Sequence, residues 1–320
     1  MFKGIAYKVA STLAFALMAA LVKALSGKVS VAEIAFFRSI FSLLTLVAWL
    51  RHQGAFPRGV ATKNPFGHLR RSLLGVTGMF GTFYALSALP IAKATAISFA
   101  APLMVVPLAT LFLGEKANPF RWAAVLVGFA GVLVMLSDRL FNGDGSLGLG
   151  ETVAVCTACV SAIAVLQVRH LTRTEPTGAI VFYFFLMGLG AMALALSLGA
   201  LAPRGWPVPA WIAWTAPDAK TLALLALLGV LGGFGQILMT QSFRHADAAV
   251  IAAFEYTSIL WTASLGVAFF GEGVSAHVAL GALVVVGSGL MILLRERAPR
   301  PHKADEIAPA SPEEALAEEF

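Results

Sequence analysis

Two charged side chains lie well inside long apolar stretches of the sequence, where a charge has to serve a purpose. Arg38 stands within residues 31–50, and Glu255 stands within residues 248–270. If both stretches are helices that cross a membrane, each charge lies ~10 Å deep, and the two enter from opposite faces, at 1.5 Å per residue. A charge at that depth costs several kcal/mol unless it faces protein or water. Both side chains are therefore expected to point into a shared interior.

Each of these two charges admits more than one role. Arg38 could contact a solute or a gate, or it could be a structural partner for backbone carbonyls or for Glu33. Glu255 could bind a cation, couple solute movement to protons, or form a structural pair with Arg38. These alternatives exist because a buried carboxylate needs either a proton or a counter-charge.

Aromatic and amide side chains in the apolar stretches could complete a binding slot around the two charges. Aromatic residues that carry a polar tip or lie in repeated segments are better candidates than the many others, which usually face lipid or core. Amide side chains are costly in lipid because their donors and acceptors find no partners there. Such a slot would suit a flat or amphipathic solute. The predicted slot comprises Arg38 and Glu255 with Phe37, Phe80, Tyr84, Phe99, Gln236, Gln241, Tyr256 and Trp261.

The composition requires a membrane environment for most of the chain. Hydrophobic residues make up 58% of the 320 and charged residues only 12%, about half the usual share of charge in soluble proteins. The net charge of +6 is spread between apolar segments rather than gathered in a patch, so nucleic-acid binding is not indicated. Ten apolar segments can be counted, at about 4–25, 31–50, 71–91, 94–113, 121–138, 149–168, 177–199, 221–243, 248–270 and 275–294. Most of them reach the ~20 residues that a spanning helix needs.

One glycine-rich motif occurs twice in the sequence. Residues 73–81 read LLGVTGMFG and residues 227–235 read LLGVLGGFG, with seven of the nine positions identical at an offset of 154. Glycines three residues apart share one helical face and let a neighbouring helix approach closely. The predicted packing glycines are Gly75, Gly78 and Gly81 and their counterparts Gly229, Gly232 and Gly235.

The duplication extends along both halves of the chain. Offsets of 146 and 157 align further pairs, among them Lys23 with Arg169, Phe36 with Phe182 and Glu115 with Glu272. Each unit then has five spans, and because five is odd the second unit is inverted relative to the first. The sequence thus predicts an all-α membrane fold of ten transmembrane helices in two inverted repeats, 1–140 and 146–295. Inverted repeats supply two exchangeable conformations that face opposite sides, which is typical of transporters.

The distribution of basic residues predicts the orientation. With a cytoplasmic N-terminus, sixteen of the 23 Lys and Arg residues fall in inward loops and tails and five in outward loops. This bias predicts a multi-pass protein of the inner (plasma) membrane with both termini in the cytoplasm. The long outward loop 200–220 carries Trp206, Trp211 and Trp214, which are interpreted as an interfacial aromatic belt. Residues 296–320 are rich in Pro, Ala and Glu and are predicted to form a disordered tail.

Several other functions are disfavoured by the residue patterns. Cys156 and Cys159 lack the further ligands of a metal site and are interpreted as packing residues, so no metal or cofactor is predicted. The GDGSLG at 143–148 matches a dinucleotide pattern, but no strand precedes it. The six histidines lie at span ends or outside the spans and the acids are scattered, which disfavours a membrane enzyme. Rings of like charge, expected for an ion channel, are absent from the sequence.

Five stretches of the sequence resemble a known family. They are ALPIAKATAISFAAPL (88–103), LFLGEK (111–116), RWAAVLVGFAGVLVML (121–136), AFFRSIFSLL (35–44) and FEYTSILW (254–261). They look like the EamA-type half of the drug/metabolite transporter superfamily, and the resemblance covers about 1–295. It implies a central cavity built mainly by the first four spans of each half, with the fifth and tenth spans outside.

The resemblance also implies a function. Such families include exporters of amino acids and other metabolites, and importers of S-adenosylmethionine and riboflavin. We therefore expect a secondary transporter of a small organic metabolite that works by alternating access in the lipid bilayer. A monomer is compatible with this, because both repeats lie in one chain. A membrane scaffold or channel, and a polytopic membrane enzyme, are the alternatives.

Overall fold

The computed structural model describes residues 2–113, 119–141, 147–171, 174–202, 207–245, 254–255 and 257–297. Several residues named above lie outside this described part: Glu115, residues 143–146 of GDGSLG, Trp206, Tyr256 and the tail from 298 onward. In the described part the chain is helical and contains no strand, which confirms the all-α class. Two short 3-10 turns, Arg58–Val60 and Ala210–Ile212, lie in connecting segments.

Eleven α-helices follow one another in the part of the chain that the structure describes. They are α1 Phe2–Leu25, α2 Val31–His52, α3 Pro65–Ala88, α4 Ile91–Ser98, α5 Ala100–Leu113, α6 Pro119–Phe141, α7 Leu149–Leu171, α8 Thr177–Ala200, α9 Ala219–His245, α10 Thr257–Phe270 and α11 Ala276–Arg297.

Four of these helices contain a stretch that is long and apolar enough to cross a membrane. The four stretches are Phe2–Leu25, Val31–His52, Gly178–Ala200 and Ala219–Met239. Shorter apolar stretches occur at Trp122–Ser137, Leu149–Ala164, Thr257–Phe270 and Ala276–Met291. The number of ten spans stays a prediction.

Local sequence explains where two of the helices begin. Ser30 and Glu33 form a capping box at the start of α2: the Glu33 amide donates to Ser30 Oγ at 3.2 Å, and the Ser30 amide donates to Glu33 Oε2 at 2.8 Å. At the start of α3, Asn64 Oδ1 accepts from the Gly67 amide at 2.8 Å, and Pro65 occupies the first helical position. Both arrangements satisfy backbone donors that a helix start leaves unpaired.

The predicted segment 94–113 is not one continuous helix. It is broken at Phe99, where α4 ends and α5 begins. The position of Pro102 in the sequence agrees with the break, because proline has no backbone N–H to donate to the carbonyl four residues earlier, which is residue 98. Pro107, in contrast, lies inside α5 without ending it.

The helices pack in a specific set of pairs. The most extensive contacts join α1 with α9, α3 with α7, and α6 with α11. Helix α2 packs on α8 and α9, and α3 packs on α8 as well as on α7. Helices α5 and α10 lie against α7 and α1 respectively, and α4 packs on α10. Because α6 and α11 contact mainly each other, α1–α3 and α7–α9 form the body of the bundle.

Polar links tie the helix ends together at the end of the bundle opposite to the start of α1, here called the opposite end. Lys23 Nζ donates to the Leu89 carbonyl at 2.7 Å, and Glu272 Oε2 accepts from the Ile91 amide at 2.8 Å. Thr215, in the loop before α9, donates to Glu33 from its amide at 2.9 Å and from its hydroxyl at 2.8 Å. The end at which α1 begins is called the N-terminal end below.

Candidate functional site

Arg38 is buried in the body of the bundle, with 5% of its surface exposed. Its Nη1 points to the thioether sulfur of Met79 at 2.8 Å, and its Nε lies 3.4 Å from the sulfur of Met18. Its guanidinium carbon also lies 5.4 to 5.9 Å from the ring centres of Phe83, Phe184 and Phe185. Thioether sulfur is only a weak acceptor, and ring faces attract a cation without neutralising it.

Arg38 pairs with neither of the two carboxylates that the sequence suggested as partners, those of Glu33 and Glu255. Glu33 is completely buried and is used by the α2 cap and by Thr215. Glu255 pairs with Lys8. Within the described residues no acidic side chain forms a salt bridge with Arg38, so its charge is met only by sulfur atoms and aromatic rings.

A second arginine, which sequence reasoning missed, lies beside the first. Arg71 is on α3, and its guanidinium carbon lies 4.4 Å from the centre of the Phe184 ring, the same ring that Arg38 approaches. Its Nε and Nη1 atoms are buried and have no hydrogen-bond partner in the described part of the chain. We call Arg38, Arg71 and Phe184 the arginine site. Arg71 stands at the boundary of the predicted span 71–91, where a basic residue is normally assigned to the adjoining loop.

Two more polar atoms on the same face of α3 are buried and unpartnered among the described residues. They are Ser72 Oγ and His68 Nδ1. The other ring nitrogen of His68, Nε2, lies 3.2 Å from Glu175 Oε2, in the segment before α8. Positions 68, 71, 72 and 75 share one helical face. The signal that could have revealed this cluster is the run of polar residues at i, i+3 and i+4 at the start of an apolar segment.

Glu175 holds this cluster at the N-terminal end of the bundle. Burial alone would raise the pKa of its carboxyl, but hydrogen bonds from His68, Thr62 and the Lys63 amide outweigh burial and hold that pKa below its ordinary value. The Lys63 amide lies 3.1 Å from Glu175 Oε1. The carboxylate therefore stays charged, and it joins the start of α3 to the segment that precedes α8.

Glu255 forms an ion pair with Lys8 rather than with Arg38. The Lys8 side chain is only 1% exposed, whereas the Glu255 side chain is 43% exposed. Four residues after Lys8 and two residues after Glu255, the hydroxyls of Thr12 and Thr257 lie 2.9 Å apart. These contacts join α1 to the segment that leads into α10. The structural pair of Glu255 with Arg38, one of the alternatives that the sequence left open, is therefore wrong, because Glu255 pairs with Lys8.

An apolar cavity of about 410 Å³ lies between α3 and α7 near the opposite end. Phe80 and Tyr84 line it from α3, and Cys156 lines it from α7. Trp211, from the loop before α9, covers it and meets the Phe80 ring edge-on, with 5.4 Å between ring centres. The interpretation of this tryptophan as a purely interfacial residue is therefore incomplete.

A second cavity, of about 170 Å³, lies between α2, α8 and α9 at the N-terminal end. Its wall includes Trp49 and Gln53 of α2, Gly178 and Val181 of α8, and Gln236 of α9. Val181 stands one helical turn before Phe184 and Phe185, so this cavity approaches the arginine site from the N-terminal end.

The predicted slot residues are spread over the bundle rather than gathered in one place. Phe37 faces Trp214 with 6.2 Å between ring centres, and Phe99 is buried at the break between α4 and α5. Gln241 accepts from His245 Nδ1 through its backbone carbonyl at 2.9 Å. Trp261 has a buried indole N–H without a partner in the described part. Only Phe80 with Tyr84, and Gln236 by itself, line the two cavities described above.

The repeated glycines lie where helices come close. A Cβ on Gly81 would stand 2.1 Å from Thr157 Oγ1 of α7, and one on Gly78 would stand 3.4 Å from Ser161 Oγ. A Cβ on Gly235 would meet the Phe15 ring of α1 at 2.9 Å. The remaining three face the arginine site or its supports: Gly75 faces Arg71 and Phe184, Gly229 faces Phe41 and the Arg38 carbonyl, and Gly232 faces Arg38 Nε, Met18 and Ser42.

Comparison with known proteins finds two matches to one family profile. The EamA-like transporter family matches residues 2–137 and again residues 148–294. A solved crystal structure shares the fold, with a TM-score of 0.59 at 21% sequence identity over 93% of this chain and 97% of that chain.

Three characterised relatives match over most of their length. A riboflavin transporter of Rhizobium johnstonii is 29% identical over 92% of this chain and 91% of its own. A pseudopaline exporter of Pseudomonas aeruginosa is 28% identical over 88% of this chain and 93% of its own. An S-adenosylmethionine uptake transporter of Rickettsia prowazekii is 28% identical over 83% of each chain.

Proposed function

The chain belongs to the EamA-like transporter family, and from this premise we propose that it is a secondary transporter that carries a small organic metabolite across the inner membrane by alternating access. Members of the family are integral membrane transporters, so the protein is not an enzyme. The relatives named above include two uptake or transport proteins and one exporter, for three different solutes. They support the class of solute, a small metabolite, and leave the direction of transport to experiment.

The observation that carries the proposal is that the helix packing keeps its pattern when the two halves are exchanged. We exchange α1 with α7, α2 with α8, and α3 with α9. The contact between α1 and α9 then becomes the contact between α7 and α3, and that between α2 and α9 becomes that between α8 and α3. The same exchange turns α5–α7 into α10–α1, and it maps the pairs α2–α8 and α6–α11 onto themselves. The family profile also matches once in each half. Both facts support two inverted repeats, which are the usual basis of alternating access.

The glycine seams follow the same exchange and support a proposal about which helices move. Gly78 and Gly81 lie against α7, whereas their repeat counterparts Gly232 and Gly235 lie against α1 and α2. Close approach of backbones over glycine permits two helices to slide without changing their partners. The two seams are therefore the proposed surfaces along which the halves rock.

The two cavities lie toward different ends of the bundle, which suggests a labelling experiment on alternating access. Cys156 is exposed in the wall of the α3–α7 cavity, and Gln53 is exposed in the wall of the α2–α8–α9 cavity. In a Cys159→Ser background, one variant retains Cys156, and a second carries Gln53→Cys with Cys156→Ser. A transported solute should change the rates of thiol labelling at the two positions in opposite directions.

The solute is found by counterflow in proteoliposomes. Vesicles that contain the purified full chain are loaded with one unlabelled metabolite, and uptake of the same labelled metabolite is measured, with protein-free vesicles as control. We expect accumulation for at least one compound of a panel that includes riboflavin and S-adenosylmethionine. The proposal would be overturned if no compound exchanged and if both cysteines kept the same labelling rate under all conditions.

A further inference from the structure

We propose that Arg71 and Arg38 bind an anionic group, a carboxylate or a phosphate, on the metabolite that the protein transports. This inference rests on the proposed function and names the chemical class of the substrate. The site is the face of α3 that carries His68, Arg71 and Ser72, together with Arg38 of α2, around the ring of Phe184.

The first argument is the charge balance in the described part of the chain. Three buried or partly buried lysines there meet a carboxylate: Lys8 meets Glu255, Lys23 meets Glu272 and Lys93 meets Glu151. Arg38 and Arg71 form no salt bridge with the described residues, although they are close enough to repel each other. Two like charges in a medium of low dielectric constant are costly without a counter-ion. An anion that arrives with the substrate would remove that cost.

The second argument is the set of donors that point away from any protein partner. Arg71 offers Nε–H and Nη1–H, which point in different directions in the plane of the guanidinium group. Each of these donors can make a charge-assisted hydrogen bond to an oxygen of a carboxylate or a phosphate. Ser72 Oγ, on the same helical face and also unpartnered among the described residues, can supply a further donor. A buried polar atom without a partner costs free energy, so such atoms usually serve a ligand or water.

The third argument is that helix packing does not require these charges. At the repeat offset of 154, His68, Arg71 and Ser72 correspond to Leu222, Leu225 and Ala226. Leu225 is completely buried, and α9 packs on α2 as α3 packs on α8. The α9 helix therefore packs on α2 with apolar side chains at these positions. Its counterpart α3 packs on α8 with Arg71, which forms no salt bridge with the described residues. A residue that costs stability and that packing does not need is best explained by a ligand.

The fourth argument is access. The cavity between α2, α8 and α9 reaches Val181, which stands one turn before Phe184 and Phe185. A solute in this cavity would bring its anionic group toward the arginine site while the rest of it contacts Trp49 and Gln236. Gly75 leaves the space for Arg71 to lie on the Phe184 ring, because a Cβ there would stand 2.2 Å from Arg71 Nη1.

The test is a matched pair of ligands on the full chain purified in dodecyl maltoside, a detergent without phosphate. The thermal unfolding midpoint is measured with benzoate, with its neutral analogue benzamide, and with inorganic phosphate. We expect benzoate or inorganic phosphate to raise the midpoint and benzamide to leave it unchanged. In Arg71→Met the anion concentration needed for half of the effect should rise roughly 10- to 100-fold, because charge-assisted hydrogen bonds are lost.

Two control variants keep the test decisive. Arg70→Met removes a neighbouring arginine whose side chain is exposed, and it should respond to benzoate like the wild type. Ser72→Ala should weaken the response several-fold while the protein still folds, which secures a result if Arg71→Met is poorly produced. An equal response to benzamide, or an unchanged response in both Arg71→Met and Ser72→Ala, would overturn the proposal.

The remaining outcomes distinguish a lipid headgroup from the substrate as the source of the anion. They also distinguish failure of the anion site from failure of the proposed transport function. A response to added phosphatidylglycerol alone would assign the site to a lipid headgroup and overturn its role in substrate binding. Counterflow restricted to neutral and cationic solutes, without any benzoate effect, would overturn the anion site and leave the transporter standing. A benzoate effect that depends on Arg71, in a protein that exchanges nothing in vesicles, would support the site and count against the proposed function.

Discussion

The arginine site and the Lys8–Glu255 pair solve the same physical problem in different ways. Each brings a cation into the apolar body of the protein, and Lys8, at 1% exposed, is buried even more completely than Arg38, at 5%. Lys8 has a carboxylate partner from a segment 247 residues away. Arg38 and Arg71 have thioether sulfur, aromatic rings and unpartnered donor atoms within the described residues. The first arrangement is complete by itself, whereas in the second no carboxylate of the described residues forms a salt bridge with either arginine.

This difference teaches where to look for the substrate. A cation with an internal partner is used by the fold, or by a gate between α1 and the segment that leads into α10. A cation without a partner keeps its capacity to bind something from outside, at a continuing cost in stability. Sites of function are often places where a protein gives up stability in this way. The predictions below test whether the two regions differ as described.

The largest effect on stability is expected when Lys8 loses its partner. Glu255→Gln leaves a buried ammonium unpaired, and it should lower the free energy of unfolding by about 2–3 kcal/mol, toward the low end for broken buried pairs because Glu255 is partly exposed. Lys8→Met should cost less, since the remaining carboxylate can reach water. The free energy of unfolding of the wild type and of the two variants is measured by thermal or denaturant unfolding in detergent.

The double variant Lys8→Met with Glu255→Gln is the control for this prediction. It should recover most of the loss, because neither charge is then left alone. If the two single losses simply add in the double variant, the pair does not couple, and Lys8 has another partner. A recovered double variant that has lost every response of transport to a pH gradient would assign the pair to coupling as well as to stability.

A smaller effect is expected from filling the space beside Arg71. Gly75→Ala places a methyl group 2.2 Å from Arg71 Nη1 and 3.0 Å from the Phe184 ring. The end of the arginine side chain can move, so the cost should be only about 1 kcal/mol, at the low end for overpacking. The moved guanidinium should nevertheless weaken the stabilisation by benzoate. The matched control is Gly78→Ala, where the nearest atom is at 3.4 Å, and it should change neither stability nor the benzoate response.

The smallest effect concerns His68 and Glu175, a third pairing that completes the comparison. The folded-state pKa of Glu175 lies below its ordinary value, so its contribution to stability is present above the unfolded pKa of about 4.3 and is lost as the pH falls through the folded value. Glu175→Gln should therefore lower the unfolding temperature by about 1–2 °C at neutral pH. The difference from the wild type should stay constant down to about pH 5 and shrink below about pH 4. A difference that grows on acidification would contradict the direction of the pKa shift.

Sequence patterns predicted the helical class and the family; the structure confirms the helical class for the described residues, and the comparisons confirm the family. Glycines at 75, 78 and 81 and their repeat mates could be found without a structure, because identity at a constant offset does not depend on the fold. The depth of Arg38 followed from counting residues along a helix. The partners of the charges could not be found in this way. Lys8 and Arg71 stand near the ends of their segments, where side chains of their length can reach either the membrane surface or the interior.

The sequence by itself determined that the protein is a helical membrane protein and that it contains a duplicated unit. It also determined that Arg38 must be shielded from lipid. These properties depend on composition, on the 3.6-residue period and on spacing, all of which are local. Only the tertiary structure decided that Glu255 meets Lys8, that Arg71 lies on Phe184 beside Arg38, and that Trp211 covers a cavity. Each of these contacts depends on how far a helix is rotated about its axis and which helix lies beside it. That rotation is fixed by the packing of distant segments, such as glycines of α9 against α1 and α2, and not by any short stretch of residues.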